Sequence, residues 1–183
     1  MAALLQRRAE DVAVEVLLPF QVRLPLVVPL PGVISGSATF EAEPRSLTML
    51  TGRCACGEIA YRIKSAPFDA GYCHCEICRR PSGAPVLAYA TVPYSDLVIE
   101  TGEPARRRSS SFGERWFCSD CGAQTAMHVD HQPDTIDFTL ATLDSPEAVS
   151  PGFHIWHSAK IGWFDTADDL PRHAKLRPDT PGL

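Results

Sequence analysis

The sequence predicts a mainly β domain of short strands and tight turns, with few short helical turns. Three observations lead there. The 183 residues include 16 Pro and 12 Gly, which punctuate the chain too often for long helices. From Gly52 onward, turn and strand signals follow one another at short intervals. Within several segments apolar and polar residues alternate, the period of a half-buried strand.

Residues 1–48 contain no Cys, His or Trp and carry Pro19, Pro25, Pro29, Pro31 and Pro44. Val12, Val14, Val16 and Leu18, then Val22, Leu24, Leu26 and Val28, alternate as a weak hairpin broken by Pro19. The expected organisation is an N-terminal extension over 1–48, a cysteine-bearing domain over 49–175 with a native start near Met49, and a tail over 176–183. In the domain, Ile59, Tyr61 and Ile63 share one face of a strand. Val86 to Val92 reads as a second strand, and Pro93-Tyr94-Ser95-Asp96 as a turn into a third, Leu97 to Glu100. Arg106 to Phe112 and Arg115 to Phe117 read as hairpin arms around Gly113. Gln124 to Val129 and Thr135 to Leu143 are further strands. Asp144-Ser145-Pro146-Glu147 caps a single helical turn, and Phe153 to Trp163 is a last semi-apolar segment.

The formal charge of −5 argues against nucleic acid as a partner. Arg79-Arg80 and Arg106-Arg107-Arg108 are short runs, read as solvated charge. Arg7 and Arg8 precede an apolar stretch, but Glu10, Asp11, Glu15 and Arg23 interrupt it, so it reads neither as a signal peptide nor as a membrane span. A reducing, cytoplasmic setting follows, in which clustered cysteines read as metal ligands.

Seven cysteines fall into three groups: Cys54-Ala-Cys56-Gly57, Cys73-His-Cys75-Glu-Ile-Cys78, and Cys118-Ser-Asp-Cys121-Gly122. Cys-x-x-Cys-Gly binds zinc from a tight turn, because Gly tolerates the positive φ and the turn's N–H groups point at the sulfurs. Cys54 and Cys56, placed on one face of a strand, complete the tetrahedron with Cys118 and Cys121. Cys73, Cys75 and Cys78 are then one donor short of a closed site, which is the pattern of a catalytic zinc with an exchangeable position. His74, Glu76 or a distant His closing that site is the inert alternative, and a metal-free redox use of Cys75-x-x-Cys78 is a third reading. Three thiolates make zinc a weaker Lewis acid than three imidazoles do, and favour a soft incoming thiol.

The stretches GRCACGEIAYRI, YCHCEICRRPSGAP, ERWFCSDCG, HIWHSAKIGWF and DLPRH resemble, in order and over about residues 50–175, the glutathione-dependent formaldehyde-activating enzyme family, which includes the centromere protein V-like proteins. The resemblance implies a β-tent fold of small coiled sheets around zinc. It implies a structural zinc on Cys54, Cys56, Cys118 and Cys121, and a catalytic zinc on Cys73, Cys75 and Cys78, two per chain. It also implies a carbon–sulfur lyase reaction interconverting glutathione plus formaldehyde with S-hydroxymethylglutathione, or a related aldehyde with its hemithioacetal. The rival reading is a non-enzymatic, zinc-stabilised binding scaffold. Lys160-Ile161-Gly162-Trp163 and Gln124 depart from the family pattern by lacking a proline, and neither touches a ligand.

His74 reads as lying beside the ligands or at the surface, because neighbours on an extended stretch point oppositely. His154, Trp156, His157 and Trp163 form a late aromatic cluster that packs in the core or walls a substrate pocket. Arg79, Arg80 and Lys160 are candidate carboxylate binders, and Arg79, His154, Trp156 and Lys160 are the substrate-contact candidates. His128 and His131 are expected at the surface.

Overall fold

The computed structural model describes residues 49–180, so the expectations for the 1–48 segment, its alternating hairpin included, lie outside the described residues. Among the described residues ten strands form two sheets. In the smaller, β1 (Leu50–Arg53), β2 (Ala60–Ile63) and β5 (Leu97–Thr101) run in the order β1-β2-β5. The larger contains β3 (Asp69–Cys73), β4 (Leu87–Pro93), β6 (Ala105–Arg108), β7 (Gly113–Phe117), β8 (Gln124–Val129), β9 (Thr135–Thr139) and β10 (His154–Ile155). Its order is β10-β3-β4-β9-β8-β7-β6, antiparallel except where β10 joins β3 in parallel.

Alternation along the strands decides which face does what. Tyr61 and Ile63 of β2 pack onto Ala90 and Val92 of β4, Trp116 of β7, Ala126 of β8 and Ile136 and Phe138 of β9, so the small sheet covers one face of the large one. The Tyr61 hydroxyl is the polar group buried there, and it donates to Thr142 Oγ1 at 2.7 Å while that hydroxyl donates to the Thr139 carbonyl. The residues between these core positions point to the opposite face. Asp69 pairs with Thr91 and Thr91 with Asp137; Gly71 pairs with Tyr89 and Tyr89 with Thr139; Cys73 pairs with Leu87. That second face carries a cleft.

Several boundaries differ from the sequence expectation. Gly113 does not form the hairpin turn but opens β7. The turn is 109–112, closed by the Ser109 N–H on the Gly113 carbonyl and by Arg108, which donates to the Ser111 carbonyl and to Asp130. The Thr135 strand stops at Thr139, where the chain winds into a 3-10 turn, Leu140–Thr142. Pro146–Ala148 is the single helical turn expected after Asp144. The helix α1 (Glu76–Ser82) had no signal in the apolar period because it is only two turns long.

Candidate metal centres and the adjoining cleft

The first centre is built from two similar knuckles. Cys54 follows β1 and lies with Cys56 in a turn, not on a strand face as expected from i, i+2 spacing. The Gly57 N–H donates to the Cys54 carbonyl, and Gly57 sits at φ 83°. Cys118 follows β7, the Gly122 N–H donates to the Cys118 carbonyl, and Gly122 sits at φ 74°. Both glycines therefore occupy the left-handed region that a side chain resists. The turn amides do point at sulfur: the Ile59 N–H lies 3.2 Å from Cys54 Sγ, and the Ala123 N–H, followed by that of Cys56, holds the Cys121 thiol down to about 6.

The four sulfurs lie within 4.8 Å of one another, with Cys54 to Cys56 at 3.4 Å and Cys56 to Cys118 at 3.7 Å. A disulfide would require about 2.05 Å. Tetrahedral zinc, with zinc–sulfur bonds near 2.3 Å, places its ligands about 3.8 Å apart. The donor set fits a closed four-sulfur metal site.

The second centre uses the end of β3 and the start of α1. Cys73 is the last residue of β3, Cys75 caps α1, and Cys78 lies in its first turn, with the Cys78 and Arg79 N–H groups on the Cys75 carbonyl. These three sulfurs also lie within 4.8 Å of one another, and Cys73 to Cys75 is 3.4 Å. Among the described residues no His, Asp or Glu joins the group. The crowding has an electrostatic signature: contact with Cys75, then with Cys78, pushes the Cys73 thiol far up, while the same contacts hold Cys75 down to about 3. Three such sulfurs cannot all ionise without a cation, so this donor set also fits a metal.

Around this centre sit residues that sequence reasoning passed over. Pro81 lies inside α1 and has no N–H to give the Ile77 carbonyl four residues back. Arg115 takes that carbonyl at 2.7 Å. Its guanidinium is 3% exposed, also donates to Gln124 Oε1 at 3.0 Å and approaches Cys78 Sγ at 3.5 Å, and its Nε is buried without a partner. Arg115 therefore ties the helix, the sheet and a ligand sulfur together. In sequence it was one arm of a hairpin, and its charge alone carried no signal.

His74 is fully buried, 1% exposed, so it is not a surface residue. Its Nε2 meets His154 Nδ1 at 2.8 Å, and His154 Nε2 meets the two Asp168 oxygens at 3.1 and 3.2 Å. Since the carboxylate only accepts, His154 donates from Nε2 and accepts at Nδ1, so His74 donates from Nε2. Burial, then His154, holds His74 down to about 4, so its ring is neutral. Partial burial works against Asp168, but the Leu170 N–H, then His154, keeps it below the usual carboxylate range.

The substrate-contact candidates divide. Trp156 lines the cleft described below and is the one non-Gly residue at positive φ, 54°, among the described residues. His154 is enclosed between Tyr72 and His74. Arg79 donates to the His74 carbonyl and Arg80 pairs with Glu76. Lys160 is held by the Phe164 carbonyl and Asp165, each at 3.0 Å. Trp163 is 78% exposed, with its ring edge-on to that of Phe164. His128 and His131, expected at the surface, are half-buried against Tyr94 and Phe112.

A cleft of about 1020 Å³ opens on Cys73, Cys75 and Cys78 along the uncovered face of the large sheet. Leu87, Tyr89, Met127, Phe153, Trp156 and Leu176 supply its apolar walls. Among its polar groups is Asp137, which accepts from Thr91 Oγ1 at 2.7 Å and whose carboxyl burial pushes up to about 6. No helix among the described residues is long and apolar enough to cross a membrane.

A Halomonas elongata protein described as a "Putative glutathione-dependent formaldehyde-activating enzyme" is 27% identical over 64% of this chain and 80% of its own length. A Schizosaccharomyces pombe protein described as an uncharacterized lyase is 34% identical over 39% of this chain and 51% of its own length. A solved Rhodobacter sphaeroides structure is 28% identical and covers 55% of this chain and 91% of its own, with a TM-score of 0.45. The model of the glutathione-dependent formaldehyde-activating enzyme family matches residues 49–159, more than half of the sequence, and the chain belongs to that family.

Proposed function

We propose that the chain is a zinc-dependent carbon–sulfur lyase that acts on a thiol–aldehyde adduct, with glutathione as the thiol. The observation that carries this reading is a three-sulfur centre with no fourth protein donor among the described residues, opening on a cleft. A zinc ion held by Cys73, Cys75 and Cys78 would supply an exchangeable position with affinity for a thiolate. Cys54, Cys56, Cys118 and Cys121 would hold a second zinc that fastens the start of the domain to its middle.

The chain's own residues then orient the adduct. The carbon–sulfur bond breaks with its electron pair moving to sulfur, and the hydroxyl proton leaves for solvent as the carbonyl forms. Arg115 lies beside Cys78 in the lining of the cleft and sets a fixed positive charge against the sulfur centre. Trp156 walls the cleft beside the cysteines, and its strained backbone is of the kind found where a structure holds a side chain in place for a ligand. Neutral His74 adds no charge to a centre already rich in sulfur. Seven free cysteines suit a reducing compartment such as the cytoplasm.

The test is zinc per chain, with and without glutathione, together with the sulfur count around zinc by X-ray absorption. Two zincs and a rise in sulfur coordination on adding glutathione are expected. Two zincs indifferent to every thiol would replace the enzyme by a zinc-stabilised scaffold.

A further inference from the structure

We infer that the cleft is a compartment for a bulky, mainly apolar group carried on the aldehyde side of the adduct, so that the substrate class is aromatic or long-chain aldehydes rather than formaldehyde. The inference rests on the lyase reading and deepens it.

Size is the first reason. A formaldehyde-derived hydroxymethyl group has two heavy atoms and fills the space of one or two waters, about 30–60 Å³. The cleft that begins at the three cysteines holds about 1020 Å³. Small-molecule sites are shaped to bury most of their ligand, and a hydroxymethyl group would leave almost all of this one unfilled.

Wall chemistry is the second. Tyr89 stands edge-on to Phe153 with centroids 6.4 Å apart, and Met127, Leu176, Trp156 and Leu87 continue the apolar surface. Such a lining gains by excluding water from an apolar body and gains nothing from a hydroxymethyl group.

Charge is the third. Glutathione brings two carboxylates, and a site for its peptide portion needs cations. Both arginines that line the cleft are committed elsewhere. Arg177 pairs with Asp69 at 2.8 Å and Asp179 at 3.1 Å, with its guanidinium 4.1 Å above the Phe153 ring. The two terminal nitrogens of Arg115 serve Gln124, the Ile77 carbonyl and Cys78. The carboxyl groups of Asp69, Asp134 and Asp137 line the same cleft and repel carboxylates. The peptide part of the thiol therefore belongs outside the cleft, and the space inside is left for the other half of the adduct.

The experiment uses the zinc-loaded full chain and two stable thioethers of one thiol, S-methylglutathione and S-benzylglutathione, titrated by calorimetry. The benzyl compound is expected to bind about tenfold tighter or more, since a phenyl ring is then removed from water. M127W, which fills the cleft, is expected to bring that ratio toward one, provided its zinc content matches wild type. Equal affinity of the wild-type chain for the two compounds, or binding of neither, overturns the inference, and this measurement needs no variant to fold. Turnover of glutathione with formaldehyde and with benzaldehyde separates the two readings. Formaldehyde turnover without benzyl preference removes the compartment and keeps the lyase. Benzyl preference without turnover of either aldehyde supports the compartment and removes the lyase.

Discussion

His74 Nε2 lies 2.8 Å from His154 Nδ1, and this buried contact joins the loop between two ligand cysteines to the strand β10. The backbone repeats the connection, with the Tyr72 N–H on the Phe153 carbonyl and the His74 N–H on that of Ile155. Asp168 fixes the His154 tautomer from the far side, and Arg172 in turn braces Asp168 at 3.2 Å. The late segment thus sets the direction in which the Cys73-His74-Cys75 stretch leaves the sheet. H154L keeps the volume but can neither accept from His74 nor donate to Asp168. Buried His74 loses its acceptor while half-buried Asp168 keeps Arg172 and the Leu170 N–H, and the expected loss of stability is about 1–3 kcal/mol by urea unfolding of the metal-loaded chain. A loss under about 0.5 kcal/mol would show that the histidine pair contributes nothing.

The cysteine groups were legible because a ligand's identity survives without knowing the fold. Three sulfurs and four sulfurs separated as the spacing required, and the positive-φ glycines followed the second and fourth knuckle ligands as expected. Strand faces were legible where one side is buried, as at Tyr61 and Ile63 of β2, each 1% exposed, whereas Ile59, expected on the same face, precedes the strand and packs with Cys54 and Cys118. Arg115, Asp137 and Tyr89 were not legible. Their importance arises from register across β4, β9, β8 and β7, and a single sequence does not contain register between distant strands. His154, read as packing in the core or walling a pocket, was not assigned between the two for a related reason: its partner His74 is 80 residues away.

Removing one sulfur from each centre should give different results. C75S takes a ligand from the open centre, which joins neighbouring elements β3 and α1. It is expected to lower bound zinc from about two to about one per chain, to keep the circular dichroism of the fold, and to abolish aldehyde-dependent turnover. C118S breaks the centre joining segments 62 residues apart and is expected to unfold the domain or to lower its melting temperature by 10 °C or more, on the order of several kcal/mol. Undiminished turnover by a folded C75S would exclude the three-cysteine centre as the reactive one.

Asp137 supplies a pH dependence whose sign is fixed. Burial raises its carboxyl from the ordinary carboxylate range to about 6, against the Thr91 hydrogen bond. A raised acid binds its proton more tightly folded than unfolded, so stability falls as pH rises from about 4 and levels above about 6. D137N keeps the acceptor for Thr91 and removes the charge. It is expected to match the wild type near pH 4 and to exceed it by up to about 3 kcal/mol above pH 7, the free energy of about two pH units. Urea unfolding of both proteins at several pH values checks this. A difference constant with pH would mean that Asp137 titrates normally.

Gly71 tests the packing on which the cleft depends. A Cβ built on Gly71 would overlap the Phe153 ring, so only glycine lets that ring lie flat on β3. Phe153 is buried, edge-on to Tyr89 and beneath the Arg177 guanidinium, so it cannot yield without moving both. G71A is therefore expected to cost about 1–3 kcal/mol, the range for overpacking. F153A alone should cost about 3–5 kcal/mol through the cavity it leaves. In the double variant the added methyl meets no ring, so the two costs should fall short of their sum by about 1 kcal/mol or more. Urea unfolding of the four proteins measures the shortfall, and strictly additive costs would mean that the ring finds another resting place without penalty.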